Sequence, residues 1–155
     1  MKHDAERGAL TEGDARYLLI RDDSLMGIFR RLPEPARGAA LQAFADSLAE
    51  HGGRSAARYD ADDRDRFLAT IPRKAGELGW GVWTLQRKGD ALELIVENSP
   101  FAHGHGSADA PVCAPIAGML RAVAALVLGG TAVSREETCA AAGAAACRFR
   151  ARRKE

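Results

Sequence analysis

No run of about 18 apolar residues that could span a bilayer occurs in this 155-residue chain, and its opening segment, MKHDAERGALTEGDAR, has no apolar signal core. A spanning or exported chain is therefore not expected, and the expected location is the cytoplasm. Charge of one sign is also lacking. Lys and Arg number 22 against 21 Asp and Glu, a net +1, so no global field recruits nucleic acid or an anionic membrane. The short cofactor and protease motifs are missing as well: no GxGxxG follows a strand, and neither GxxxxGK[ST] nor HExxH occurs. No internal repeat or low-complexity linker divides the chain. Cysteine is scarce, with three residues in all. An odd number in a chain of this kind argues for a metal or a reactive thiol rather than a disulfide framework.

What remains is the profile of a soluble globular protein, 46% hydrophobic and 28% charged. The length suits one domain, expected over 15–155 behind a polar, flexible N-terminus at 1–14. Arg16 to Arg21 reads as a short buried strand. Asp23 or Ser24 then caps a short helix carrying Leu25, Met26, Phe29 and Leu32. Pro33-Glu34-Pro35 opens a longer helix with Ala40, Leu41, Phe44, Ala45 and Leu48 at helical spacing, stopped by Gly52-Gly53. A third helix starts near Asp60, with Pro72 expected to kink or split it. Trp80 to Gln86 and Ala91 to Glu97 form a hairpin across Arg87-Lys88-Gly89-Asp90. A loop, SPFAHGHGSADAP, leads to an apolar helix from Val112 to Leu128, followed by two closing strands, the second from Cys147 to Arg152. This order predicts an α+β fold, an antiparallel sheet packed against several helices.

The cysteines fall at telling places on that plan. Cys113 lies in the first turn of the apolar helix, Cys139 at the end of one closing strand and Cys147 at the start of the next. Gly143 can adopt positive φ and bring the last two together. With Glu136 the set has 22, two and seven intervening residues. Three thiolates and a carboxylate make a sensible tetrahedral zinc shell, closed and therefore structural. By spacing alone, three buried cysteines acting as small hydrophobes remain an equal alternative.

The same spacing, with GMLR on the helix and ETCAAAGAAACRF on the closing strands, resembles the 4-vinyl reductase domain family. NSPFA ahead of the loop adds to the likeness, which is clear from about Val82 to Arg152. The first 80 residues suit the wider NO-signalling and Golgi-transport ligand-binding fold, which includes Golgi transport-particle subunits. In the family's aromatic-sensing bacterial activators the matching residues bind zinc, which implies Cys113, Glu136, Cys139 and Cys147 as ligands here. Glu137 competes, because strand alternation would put it on the face of Cys139; the family's spacing favours Glu136.

Similar domains bind small hydrophobic molecules: phenols in the sensors, a tetrapyrrole precursor in the pigment-synthesis member. The resemblance therefore implies a binding domain, acting as sensor, carrier or accessory protein, with a vinyl-tetrapyrrole reductase (or its subunit) and a dimeric scaffold as alternatives. Enzyme activity is not favoured, since no nicotinamide or flavin fingerprint or acid–base pair is evident. Candidate lining residues are Leu25, Met26, Phe29, Trp83, Phe101 and Met119, with the segment 99–111 closing the mouth and His103 and His105 supplying polar groups. A mobile loop is the simpler account of those histidines. Ser99, His103 and Asp109 are close in sequence, but proximity in one loop does not make a triad. Trp80 and Trp83 are read as packing residues. The basic tail from Arg148 to Lys154 is read as a solvated edge strand. The stripe of Leu41, Phe44 and Leu48, with that of Val112, Ile116, Met119, Leu120, Val123 and Val127, exceeds what one small sheet covers and predicts a homodimer.

Overall fold

The structure, a computed structural model, describes residues 1–59 and 63–155. Its elements are β1 (Lys2–Asp4), β2 (Ala9–Glu12), β3 (Ala15–Tyr17), α1 (Asp22–Arg31), α2 (Ala36–Ala56), α3 (Arg64–Glu77), β4 (Val82–Lys88), β5 (Ala91–Glu97), α4 (Pro100–His105), α5 (Ala114–Leu128), β6 (Ala132–Thr138) and β7 (Cys147–Arg153). A small antiparallel sheet runs β1-β2-β3, and a larger one β4-β5-β7-β6. The fold is α+β, as its order of elements predicts. Among the described residues no helix is long and apolar enough to cross a membrane.

The larger sheet buries one face. Leu92, Leu94 and Val96 of β5 point inward, each directly opposite an inward residue of β7: Ala151, Phe149 and Cys147. Such facing pairs are the unit of sheet stability, and burying each large apolar side chain contributes about 1.5–3 kcal/mol. The β4–β5 turn is tighter than expected. Lys88 pairs with Ala91, so only Gly89 and Asp90 turn, with Gly89 at φ +62°. β7 lies between β5 and β6 and is not an edge strand. Its arginines alternate outward because Cys147, Phe149 and Ala151 take the inner face.

Helix α5 lies on the sheet, and α2 lies on α5. That seam corrects two expectations. Gly52 and Gly53 do not stop α2, which continues to Ala56. They are places where α5 comes close: a Cβ on Gly52 would meet Met119 Sδ at 2.7 Å, and one on Gly53 the Ala122 Cβ at 3.0 Å. The apolar stripes of α2 and α5 also cover each other. Ile116, Leu120, Val123 and Val127 are buried within the chain, while Leu41 and Phe44 pack against that core. The surplus stripe that predicted a dimer does not exist.

The amino-terminal third departs furthest from expectation. Residues read as flexible form β1 and β2, tied to the body by Glu12 with Lys74 and Asp14 with Arg58. The strand expected to run to Arg21 ends at Tyr17, and Leu18 and Leu19 are exposed. Helix α1 starts at Asp22 behind Arg21, without a side-chain cap; Asp22 and Asp23 instead place negative charge in its first turn. The expected start of the third helix near Asp60 lies outside the described residues. The helix itself runs unbroken through Pro72. The buried contacts of Phe67, Ile71 and Ala75 on either side outweigh a lost backbone bond and ring clash that cost about 3 kcal/mol. Trp80 belongs to the turn that closes α3, where its N–H donates to the Ala75 carbonyl, rather than to β4.

Gly118 of α5 offers the most direct test of the seam. A Cβ at this position would fall 2.1 Å from the Ala45 carbonyl oxygen, in space the α2 backbone already occupies. Ala is the better helix former by about 1 kcal/mol, yet Gly118→Ala should lower the unfolding free energy by about 2 kcal/mol or more, because backbone must move. Denaturant melts of the two proteins check this; an unchanged or raised midpoint would contradict the packing.

Candidate functional site

Three elements bring one cluster together. Cys113 is the residue before α5, Glu136 lies in β6, Cys139 follows β6, and Cys147 opens β7. One ligand atom from each lies within 4.8 Å of all the others. The Cys113 sulfur stands 3.9 Å from that of Cys139 and 3.7 Å from that of Cys147. A regular tetrahedron with ~2.3 Å metal–sulfur bonds has edges of about 3.8 Å. All three thiols are buried.

The choice between the two glutamates follows from a β-bulge. Glu136 pairs with Phe149 and Thr138 with Arg148, leaving Glu137 as the extra residue. Phe149 points inward, so Glu136 does too, and the inserted residue returns Cys139 to the same face. Glu137 is left on the surface with Arg135. The parity argument for Glu137 therefore fails. The loop between the cysteines is a short 3₁₀ turn (Ala140–Ala142) ended by Gly143 at φ +92°.

The surroundings are built for negative charge. The Cys113 N–H donates to Glu136 Oε2 at 2.8 Å, and the Ala140 N–H donates to the Cys147 sulfur at 3.3 Å. Ser99 caps α4 through the Ala102 N–H, and its hydroxyl is 3.3 Å from the Cys113 sulfur. Glu136 Oε1 is buried without a hydrogen-bond partner, a costly arrangement for a carboxylate. With no cation these acids resist ionising together. Burial, then the nearby charge of Cys139, pushes the Glu136 carboxyl up to about 8. Hydrogen bonds with Cys139 and Cys147, and then burial, push the Cys113 thiol far above its usual range. An orphaned oxygen facing three thiols fits a thiophilic divalent cation, which the four residues could hold.

A separate cavity of about 580 Å³ lies between β3, the end of α2, α3 and Trp80–Trp83. The chain has two Tyr and two Trp, and all four, Tyr17, Tyr59, Trp80 and Trp83, line it. Ile71, Leu78, Leu48 and Met119 complete its apolar wall. Of the seven expected ligand contacts only Trp83 and Met119 are there. Met26, Phe29 and Phe101 are buried core, with Leu25 packed against it. Phe29 stacks on Phe44 at 5.7 Å, and Phe101 meets Trp80 edge-on at 5.1 Å, behind the wall rather than in it. His103 is exposed, its Nδ1 2.7 Å from Asp22 Oδ2. The segment 99–111 is no loop over the mouth, because it begins with α4 and contributes nothing to the cavity lining. His105 is buried with neither ring nitrogen partnered. No periodic pattern in the sequence marks Tyr17 and Tyr59, because each sits beside a turn; the scarcity of Tyr and Trp is the one signal that could have found them.

A half-covered antiparallel sheet, with its last hairpin joined to a central helix by a cluster of three cysteines and one glutamate, defines the class. The chain carries a vinyl-4-reductase domain: the model of that domain family matches residues 92–153. No curated protein matches the chain. Among solved structures, the phenol-responsive sensory domain of the transcription activator PoxR, determined with phenol, is similar at TM-score 0.81 and 20% identity, over 98% of this chain and 84% of that one. A vinyl-4-reductase family protein from Methanocaldococcus jannaschii gives TM-score 0.60 at 14% identity, over 86% and 91%. Trafficking protein particle complex subunit 3 from Naegleria fowleri, covalently bound to palmitic acid, gives 0.61 at 13%, over 86% and 95%.

The cluster can be tested with Co²⁺, whose spectrum reports tetrahedral thiolate ligation. Added to metal-free protein it should bind with that signature. Glu136→Ala should weaken binding by at least about 10-fold while Glu137→Ala leaves it within about 2-fold, roughly 1.4 against 0.4 kcal/mol. The opposite ranking would put Glu137 in the cluster and Glu136 out of it.

Proposed function

We propose that this protein is a zinc-containing binding domain for a small hydrophobic or aromatic ligand, working as a sensor, carrier or accessory factor rather than as an enzyme on its own. The observation that carries the binding role is the cavity lined by all four Tyr and Trp residues. Pockets of roughly 300–1,000 Å³ with mostly apolar walls are typical of small-molecule sites. The similar fold of a phenol-bound sensory domain supports the same role.

Zinc would be held by Cys113, Glu136, Cys139 and Cys147. Four protein ligands leave no open position, so the ion's chemistry is cross-linking. Its effect on the pocket runs through α5. Cys113 anchors the head of the helix whose Met119 reaches the cavity. Fixing that end against β6 and β7 holds Met119 in place.

Elemental analysis should find about one zinc per chain. Free zinc at about 1,000 times its Kd adds about 4 kcal/mol, so stripping the ion should lower Tm by on the order of 10 °C. Thermal shift with phenols, fatty acids and porphyrin precursors, alongside native mass spectrometry, tests the pocket. A rise in Tm or a co-purified ligand supports binding. No shift with any of them removes this reading and leaves a scaffold; NADPH-dependent vinyl reduction by the protein alone would make it an enzyme.

A homodimer is part of the proposal, on a surface other than the α2–α5 stripe. Leu18, Leu19, Ile20 and Ile28 are the exposed apolar side chains around the link from β3 to α1. Light scattering should give a dimer at micromolar concentration, and Leu18→Asp with Leu19→Asp should shift it to monomer. A wild-type monomer contradicts this.

A further inference from the structure

The cavity that carries the proposed binding role has a charged rim, and the inference drawn from that rim rests on that role. Four cationic side chains line it: Arg16 of β3, Arg54 and Arg58 at the end of α2, and Lys74 of α3. Asp14 is the only carboxylate among the lining residues. Lys74 is already committed, bonded to Glu12 at 2.6 Å and Glu77 at 2.9 Å. The three arginines are held more loosely. Arg16 donates to the Gly8 carbonyl at 3.3 Å, Arg58 lies 3.4 Å from Asp14, and Arg54 pairs with Glu50 one turn away on the same helix. The Arg54 and Arg58 side chains are more than half exposed, and exposed pairs of this kind are worth about 0–1 kcal/mol. Turning a guanidinium from such a partner to a ligand carboxylate therefore costs little and gains a planar, two-pronged contact.

The body of the ligand is set by the wall. A cavity of about 580 Å³ is in the range that encloses drug-sized molecules, so a single-ring compound would leave much of it filled with water. Tyr17, Tyr59, Trp80 and Trp83 present aromatic surface, which favours flat rings in offset or edge-on contact. We propose that this pocket selects a planar aromatic carboxylate of at least two fused rings, its apolar body among those four aromatics and its carboxylate at the rim with Arg54, Arg58 and Arg16.

Calorimetry on the intact, metal-loaded protein with 2-naphthoate, 2-naphthamide and benzoate separates the parts of this proposal. The expected result is 2-naphthoate at least about 10-fold tighter than 2-naphthamide, with the difference shrinking in 0.5 M NaCl as screening predicts, and benzoate weaker than 2-naphthoate. In Arg54→Gln/Arg58→Gln the preference for the anion should fall to less than about 3-fold while 2-naphthamide affinity is kept, which also shows that the variant is folded. Equal binding of acid and amide overturns the anion selectivity and leaves the hydrophobic pocket standing. Benzoate as tight as 2-naphthoate overturns the ring-size selectivity. If neither naphthalene compound binds, this inference fails along with the pocket it was drawn from.

Discussion

Helix α5 can do its work only because α2 approaches it closely enough for backbone to touch backbone. The Ala45 carbonyl oxygen lies 2.1 Å from where a Cβ of Gly118 would stand, and Gly52 and Gly53 make room from the other side. This approach sandwiches α5 between the sheet and α2, which buries Ile116, Leu120, Val123 and Ala124 completely. Both candidate sites hang from the helix so held. Its head presents Cys113 to the hairpin of β6 and β7, and Met119 in its second turn meets Gly52 at the wall of the aromatic cavity. Small residues at such a seam sacrifice helix propensity for proximity; here the proximity organises the molecule.

A second local irregularity decides the chemistry of the cluster. A regular strand would separate Glu136 from Cys139, three positions on and therefore on the other face. One inserted residue, Glu137, restores them to the same face at the cost of a single break in the β6–β7 ladder. The result is a carboxylate oxygen without a partner amid three buried thiols. Bulges recur beside functional sites because they re-aim one side chain without disturbing the rest of the sheet, and this one re-aims Glu136.

Charge and aromatic surface are segregated in a comparable way at the cavity. Tyr and Trp come from β3, the residues after α2, the end of α3 and β4, while the basic side chains stay at the rim. The Trp83 indole N–H is satisfied internally by the Trp80 carbonyl at 2.9 Å, so this ring offers its apolar surface to the cavity. Polar discrimination then falls to the arginines. The division matches the general architecture of small-molecule sites, an apolar enclosure with a few oriented polar groups.

Much was legible in the sequence alone. The alternation of Leu92, Leu94 and Val96, the tight Gly89-Asp90 turn, the apolar run of α5 and the ends of β6 and β7 are all local signals, because strand and helix periodicity and turn chemistry act over a few residues. The four cluster residues were legible through their spacing and the resemblance it carried, and the structure brings the same four together. What only the tertiary structure decided depends on contacts between distant segments. Gly52 and Gly53 look like a helix stop until Met119 and Ala122 are seen against them. Pro72 looks like a break until α3 is packed on β4. Tyr17 and Tyr59, 42 residues apart in the chain, share a cavity with Trp80 and Trp83 only once β3 docks beside α2 and α3. Local periodicity says which face of an element is apolar, but not whether that face meets a neighbouring helix, the core or an open cavity; that is settled by the packing of the whole chain.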